Sequence, residues 1–373
     1  MTNPTAQWQR AKNIVADALE LAPSARAAFV EQRLADCPTL RADVESLLAT
    51  EATTGEANFL ARPAKLPVVS HAPGVSRTGE RVGAWLLKSE IGRGGMGVVY
   101  LAERADGAYA QRVAVKLLVN AAGAHAHELA RERQALAGLN HPNIARLIDG
   151  GTDADGTPYL VMEYVAGESI ATYCEKHQLT LSARVALVQK ICAAVQSAHQ
   201  QLLIHRDIKP ANILVSDAGE VKLLDFGIAR LLDHDGRSAQ TTGLGGLLFT
   251  PRYASPEQVR GELVSVSADI YGIGALLYEL LADSSPFARM ADTEPANLAA
   301  IMRVVAEDEV ALASTLARAA HSPFADQLTG DLDAILAKAC AKVPAERYPS
   351  VVELAQDLGR FLDQKPIRAR PQT

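Results

Sequence analysis

The stretch Leu202–Val215, LLIHRDIKPANILV, constrains this chain more than any other. Apolar residues stand at both ends, as in a buried segment, yet His205, Arg206, Asp207, Lys209 and Asn212 crowd its middle. A buried charge is costly unless it is paired and hydrogen-bonded. Any fold for this chain must therefore gather partners for these groups at one place. The flanks LLI and ILV, with KLLD at Lys222–Asp225, are expected as short strands gripping the polar loop from both sides.

The text around that loop changes texture along the chain. Residues 1–60 read as helices, with Trp8, Val15 and Leu19 at helical spacing and Ser24 and Thr39 as N-caps. Residues 61–84 read as a linker, because Pro63, Pro67 and Pro73 interrupt a stretch of little periodicity. From Trp85, the segments WLLKSEIG, GVVYLAER and RVAVKLLV are rich in Val, Leu and Ile and read as strands. A helix is expected around 124–139, then strands near IARLIDGG and PYLVMEYV. From about Leu181 the pattern is helical, with Leu187, Ile191, Val195 and Ala198 on one stripe and Ile270, Ile273, Leu277 and Leu280 on another. No internal repeat interrupts this order. The reading is an α+β, two-lobed architecture: a β-rich small lobe over 85–165, a helical large lobe over 166–361 and a C-terminal tail over 362–373.

The charge balance of 37 basic against 43 acidic residues argues against a nucleic-acid partner, whose binding rests on neutralising phosphates. Cys37, Cys174, Cys192 and Cys340 are far apart and form no Cys-x-x-Cys pair, so zinc and redox chemistry gain no support. The opening MTNPTAQWQR lacks the apolar core of a secretory signal, and no run approaches the roughly 18 apolar residues of a membrane helix. A reducing cytoplasm is the expected setting, with no membrane contact within this chain and attachment through a longer C-terminal part left open.

Gly92, Gly94 and Gly97 in IGRGGMGVVY follow G-x-G-x-x-G, a spacing that lets backbone N–H groups approach phosphate oxygens. A dinucleotide turn needs a helix after the glycines, whereas Val98–Leu101 continue as strand. The glycines are therefore expected at a hairpin tip, flapped over a nucleotide. Lys116 lies among Ala114, Val115, Leu117 and Leu118, either snorkelling to water or aimed at phosphates. Glu132 shares a helix face with Leu129, Leu136 and Leu139, so it needs a counter-ion, and Lys116 is the expected one.

Phosphoryl transfer needs a carboxylate for the attacking hydroxyl, oxygen ligands for Mg²⁺ and cations on the moving group. Asp207 suits the first need, Asn212 and Asp225 the second, and Lys209 part of the third. Singly, an Asp before a turn is a cap and an Asn satisfies a loop; the ordered set is what carries the reading.

From Trp85 to Phe361 the chain resembles the eukaryotic-type (Hanks-type) Ser/Thr protein kinases of bacteria, through GRGGMG, VAVK, HRDIKPAN, DFG and SPE. The resemblance implies the two-lobed protein kinase fold, ATP with Mg²⁺ or Mn²⁺, and protein substrates. It implies Asp207 as catalytic base, Lys209 on the γ-phosphate, Asn212 and Asp225 on the metal, and Lys116 on the α and β phosphates, held by Glu132. It places Ile91, Gly92, Gly94 and Gly97 over the nucleotide, and Val99, Ala114 and Leu214 around adenine. Met162 becomes the gatekeeper, with Glu163 and Val165 offering hinge backbone groups. Asp269 is implied to brace the catalytic loop, Glu257 to pair with Arg347, and His205 to pack rather than to act as a base. Ser255 stands where Ala is commoner, a change expected to matter little. A kinase-domain dimer is compatible with the resemblance. Residues 5–60 resemble a helical region that precedes some bacterial kinase domains.

Between Asp225 and Glu257 the polar text DHDGRSAQTTGLGG holds Ser238, Thr241 and Thr242, and activating autophosphorylation is expected at one or more of them, with Arg206 as a phosphate partner. Lys209 in DIKPAN and Thr250 in FTPRYASPE carry the resemblance to Ser/Thr-directed kinases, and Thr250 is a weaker phosphosite. The alternatives are a pseudokinase-like nucleotide-binding scaffold, disfavoured by intact Lys116, Asp207 and Asp225, and a small-molecule phosphotransferase.

Overall fold

The computed structural model describes residues 76–94, 97–107, 110–118, 133–134, 136–226, 252–284, 286 and 298–369, together with 29, 30 and 33. All statements about elements below refer to these residues. Six antiparallel strands form the small-lobe sheet: β1 Arg81–Val82, β2 Trp85–Gly94, β3 Gly97–Arg104, β4 Arg112–Leu117, β5 Leu147–Thr152 and β6 Pro158–Glu163. Their order is β1-β2-β3-β4-β6-β5.

Side chains alternate between the faces of a sheet, and directly opposed residues share a face. Val98, Tyr100, Val113, Val115, Leu117, Tyr159 and Val161 follow one parity, and together with Val82, Trp85 and Leu87 they form the lobe's core. Lys116 lies opposite Val99 on β3 and Leu160 on β6, and Ala114 opposite Met162. These residues belong to the other face. Lys116 therefore sits beside two core residues without entering their core.

The lobe begins earlier than the expected boundary at Trp85. Val82 pairs with Trp85 and is fully buried, and Gly79 N donates to Leu87 O at 2.8 Å. Arg77 bonds Glu80 at 2.6 Å, Asp155 at 3.3 Å and Asp153, fastening this strap to the β5–β6 turn. A strap anchored by one valine and one arginine leaves little trace in composition.

The large lobe carries a three-stranded sheet of β7 Glu168–Ser169, β8 Ile213–Val215 and β9 Val221–Leu223. Its helices are α1 Ile170–Lys176, α2 Leu181–His199, α3 Pro256–Arg260, α4 Val266–Ala282, α5 Leu298–Glu307, α6 Ala313–Ala319, α7 Ala325–Leu328, α8 Asp331–Ala339 and α9 Val351–Leu362. Thr180 caps α2 by accepting from Ala183 N, and Ser265 caps α4 by accepting from Ser267 N. The two stripes expected on α2 and α4 are buried. Helix α4 is apolar nearly all round, as a helix through the centre of a lobe must be.

The expectation of a strand at LLI is corrected. Leu202 is 85% exposed and has φ +61, and residues 202–204 form no strand. Leu202 N donates to His199 O at 3.0 Å and Leu203 N to Ala198 O at 3.0 Å. The left-handed residue closes the end of α2 on its own carbonyls, so the helix stop takes the place of a strand. ILV is β8, and VKL of the other flank is β9.

Beyond α9, the tail folds back. Ile367 and Ala369 are buried, and Arg368 N donates to the fully buried Asp357 carboxylate at 2.9 Å, which also accepts from Tyr348 Oη at 3.0 Å. Of the expected N-terminal helices, residues 29, 30 and 33 are helical, and the others lie outside the described residues.

Candidate active site

The loop from Leu203 to Asn212 is held from beneath by Asp269 in the first turn of α4, 1% exposed. Its Oδ2 accepts from His205 N at 2.9 Å and from His199 Nε2 at 2.8 Å, and its Oδ1 accepts from Arg206 N at 2.8 Å. The bracing role implied for Asp269 has these bonds as its geometry. His205 is equally enclosed. Its Nε2 donates to Leu224 O at 2.8 Å, its Nδ1 accepts from Asp207 N at 3.3 Å, and its ring packs 4.6 Å from Phe226. With both ring nitrogens occupied, His205 is a scaffold residue.

These contacts leave Asp207 at the mouth of the loop. Lys209 Nζ lies 2.7 Å from its Oδ2, and Asn212 Nδ2 donates to the same oxygen at 3.0 Å and to Asp207 O at 2.7 Å. Both side-chain bonds fall on Oδ2, so neither residue engages Oδ1. Asn212 spends its amide nitrogen on Asp207, and neither of these bonds uses its Oδ1.

From the small lobe, Lys116 reaches across to Asp225 Oδ2 at 2.7 Å. The Lys116 side chain is 6% exposed, so this contact supplies the partner its burial demands. Glu132, the partner expected from the sequence, lies outside the described residues. Asp225 has φ +57 and Arg206 φ +69, both in the left-handed region that disfavours residues with a Cβ. Backbone strain is thus held at two points of one site.

The nucleotide-facing residues expected from the sequence come together on one sheet face: Val99 on β3, Ala114 and Lys116 on β4 and Met162 on β6. Leu214 lies on β8, and Ile91 at the mouth is 47% exposed. At the hinge, Glu163 N donates to Arg146 O at 2.9 Å. The Glu163 carboxylate also pairs with Lys222 of β9 at 2.8 Å, a bond between the lobes that sequence reasoning missed.

The glycines divide. Gly97 has φ +149, and a Cβ there would lie 1.9 Å from Leu117 O, so packing against β4 alone requires glycine. A Cβ on Gly94 would meet nothing within 4 Å. Among the described residues nothing makes a steric demand for glycine at 94. Hard oxygen donors on Asn212 and Asp225, with a lysine beside them, fit a magnesium nucleotide.

Behind the site, Glu257 of α3 and Arg347 form a buried bidentate pair with two 2.7 Å bonds. Burial alone would raise the Glu257 carboxyl, but the Arg347 hydrogen bonds and charge outweigh it and hold the group below its ordinary value. Sequence reasoning missed Gln258 and His199, whose partners are distant in the chain. Ser238, Thr241, Thr242 and Thr250 lie outside the described residues.

A β-rich lobe bearing a lysine, set over a helical lobe bearing two aspartates and an asparagine, is the arrangement of the two-lobed kinase class. Residues 85–357 match the family described as Protein kinase domain, and the chain belongs to that family. It is 36% identical over 297 residues to the "Probable serine/threonine-protein kinase SCO3848" of Streptomyces coelicolor, covering 77% of this chain and 41% of that one. It is 36% identical over 286 residues to "Serine/threonine-protein kinase PknB" of Mycobacterium tuberculosis, covering 75% and 43%. The chain thus spans about two fifths of the length of these curated relatives. The crystal structure of the Mycobacterium tuberculosis PknI kinase domain has TM-score 0.52 at 26% identity, covering 76% of this chain and 98% of that one. A double-mutant form of the same domain has TM-score 0.55 at 24% identity, with the same coverage.

Proposed function

We propose that this chain transfers the γ-phosphoryl group of ATP to Ser and Thr hydroxyls of proteins. The observation that supports the reading is the Asp207 carboxylate, with Lys209 and Asn212 on one oxygen and neither of them on the other. Asp207 orients the hydroxyl and accepts its proton. Lys209, already beside that carboxylate, offsets negative charge on the transferred group. Lys116 is seated on the sheet face where the α and β phosphates would lie, and Asp225 keeps it there. Asn212 and Asp225 would hold Mg²⁺, with Mn²⁺ a second candidate. When bound, the metal supplies neutralisation of phosphate charge.

Ser and Thr are favoured over small molecules by Lys209 after Asp207 and by the SPE-closed segment, and the relatives are named serine/threonine-protein kinases. Autophosphorylation is proposed at one or more of Ser238, Thr241 and Thr242. The net charge of −6 supports protein over nucleic-acid partners. Among the described residues no helix is long and apolar enough to cross a membrane. A reducing cytoplasmic setting and a kinase-domain dimer belong to the same proposal.

The test is incubation with labelled ATP and Mg²⁺ alone and with a generic basic protein, followed by phosphoamino-acid analysis and site mapping. Phosphoserine or phosphothreonine is expected in both. Nucleotide binding without transfer would favour the scaffold, and a labelled small molecule with no labelled protein would favour the other alternative.

A further inference from the structure

The peptide unit joining Arg206 to Asp207 is pinned at both ends. At its nitrogen, Asp207 N donates to His205 Nδ1 at 3.3 Å. At its oxygen, Arg206 O accepts from the side-chain Nε2 of Gln258 at 2.8 Å. A peptide is planar, so two anchors in its plane fix the direction in which the Asp207 Cα leaves it. Arg206 holds an unfavourable φ of +69, so this orientation needs holding.

Gln258 reaches the loop from α3, and its amide is itself oriented. Ser255 N and Ser255 Oγ both lie 3.1 Å from Gln258 Oε1 as donors. With the oxygen engaged twice, the NH₂ group must face Arg206 O. Ser255 is fully buried, and the adjoining Glu257 is locked to Arg347, so α3 is a firm mount. The hydroxyl of Ser255, expected from the sequence to matter little, thus helps set the amide's direction.

We propose that Gln258 is a positioning residue for Asp207, tying α3 to the proton-accepting carboxylate through the Arg206 carbonyl. It rests on the phosphotransfer reading above. The position calls for one group that accepts from Ser255 and donates to a carbonyl at once. An ionised carboxylate of the same length accepts but cannot donate, and it turns a second lone pair on Arg206 O. A protonated carboxyl regains the donor.

The test compares the full chain with Gln258→Met and Gln258→Glu, reading kcat, KM for ATP and thermal unfolding from about pH 6 to about pH 8. Gln258→Met is expected to lower kcat roughly tenfold while leaving KM for ATP and the unfolding temperature near wild type, since misplacement acts on transfer. Gln258→Glu should be comparably impaired at about pH 8, and its kcat relative to wild type should climb as pH falls. Every other titrating group is common to both proteins, including Asp207, Glu257, Asp269, Arg206 and Arg347, so the ratio isolates position 258. Wild-type kcat in Gln258→Met, or a flat Glu-to-wild-type ratio across pH, would overturn the proposal. If Gln258→Met does not fold, the ratio alone decides. Absence of transfer by the wild-type chain is a different failure and removes the phosphotransfer reading itself.

Discussion

Replacing Arg347 with Met should destabilise the large lobe far more than an ordinary surface change. Its guanidinium is fully enclosed, Glu257 is 3% exposed, and the pair shares two 2.7 Å bonds. Arg347 also donates to Ser267 O at 2.9 Å and Ala341 O at 2.8 Å. Removing one member of a buried pair leaves the other charge uncompensated, at a cost of about 3–5 kcal/mol. At about 2–4 °C per kcal/mol for a domain approaching this size, the melting temperature should fall by roughly 10 °C. The deficit should also depend on pH. In the wild type Glu257 is held below its ordinary value, so its contribution is present at neutral pH and is lost only as pH falls through that lowered value. Without Arg347, burial acts unopposed and raises the carboxyl, so mild acid neutralises it and relieves the variant. Thermal unfolding at about pH 7.5 and about pH 5 should therefore show a smaller gap at the lower pH. The double replacement Glu257→Leu with Arg347→Met should recover much of the loss. A melting temperature within about 2 °C of wild type at neutral pH, or a gap that does not narrow in acid, would refute the reasoning.

Three further outcomes follow from the same geometry. Removing residues 1–83 should lower the melting temperature by several degrees more than removing residues 1–75, because only the first deletes buried Val82, worth about 1.5–3 kcal/mol, and the Arg77 clamp; equal unfolding of the two would deny the strap. Ending the chain after Leu362 removes the buried Ile367 and Ala369 and one donor to Asp357, so unfolding in urea should shift to lower concentration; an unchanged midpoint would contradict a docked tail. Replacing Ser238, Thr241 and Thr242 together with Ala should reduce transfer at least several-fold in a steady-state assay, and an unchanged rate would remove the proposed switch.

The sequence was most legible where chemistry and periodicity coincide. Lys116 could be read as awkward because Val115 and Leu117 flank it, and the strand register explains why: its neighbours face the core and it faces the site. Asp207, Asn212 and Asp225 were grouped from the sequence because phosphoryl transfer needs those types, and the fold bonds Asn212 both to Asp207 and, through its carbonyl, to Leu224 beside Asp225. What stayed hidden depends on distance closed by folding. The partner of Gln258 is 52 residues away and that of Glu163 is 59, and neither amide nor carboxylate announces its partner through local spacing. Leu202 misled because an apolar residue can close a helix in exposed left-handed geometry as well as enter a core. Val82 and Ile367 were passed over because each is a single apolar residue in polar text, and burial there is decided by the surface it meets.

The most direct test of the central claim is phosphoryl transfer by the wild type and by Asp207→Asn, measured beside nucleotide binding. Asn keeps the side chain's size and accepts from Lys209, but it cannot take the hydroxyl proton. Transfer should fall by about 10²- to 10⁴-fold while nucleotide affinity stays near wild type. Transfer at the wild-type rate in Asp207→Asn would contradict the account.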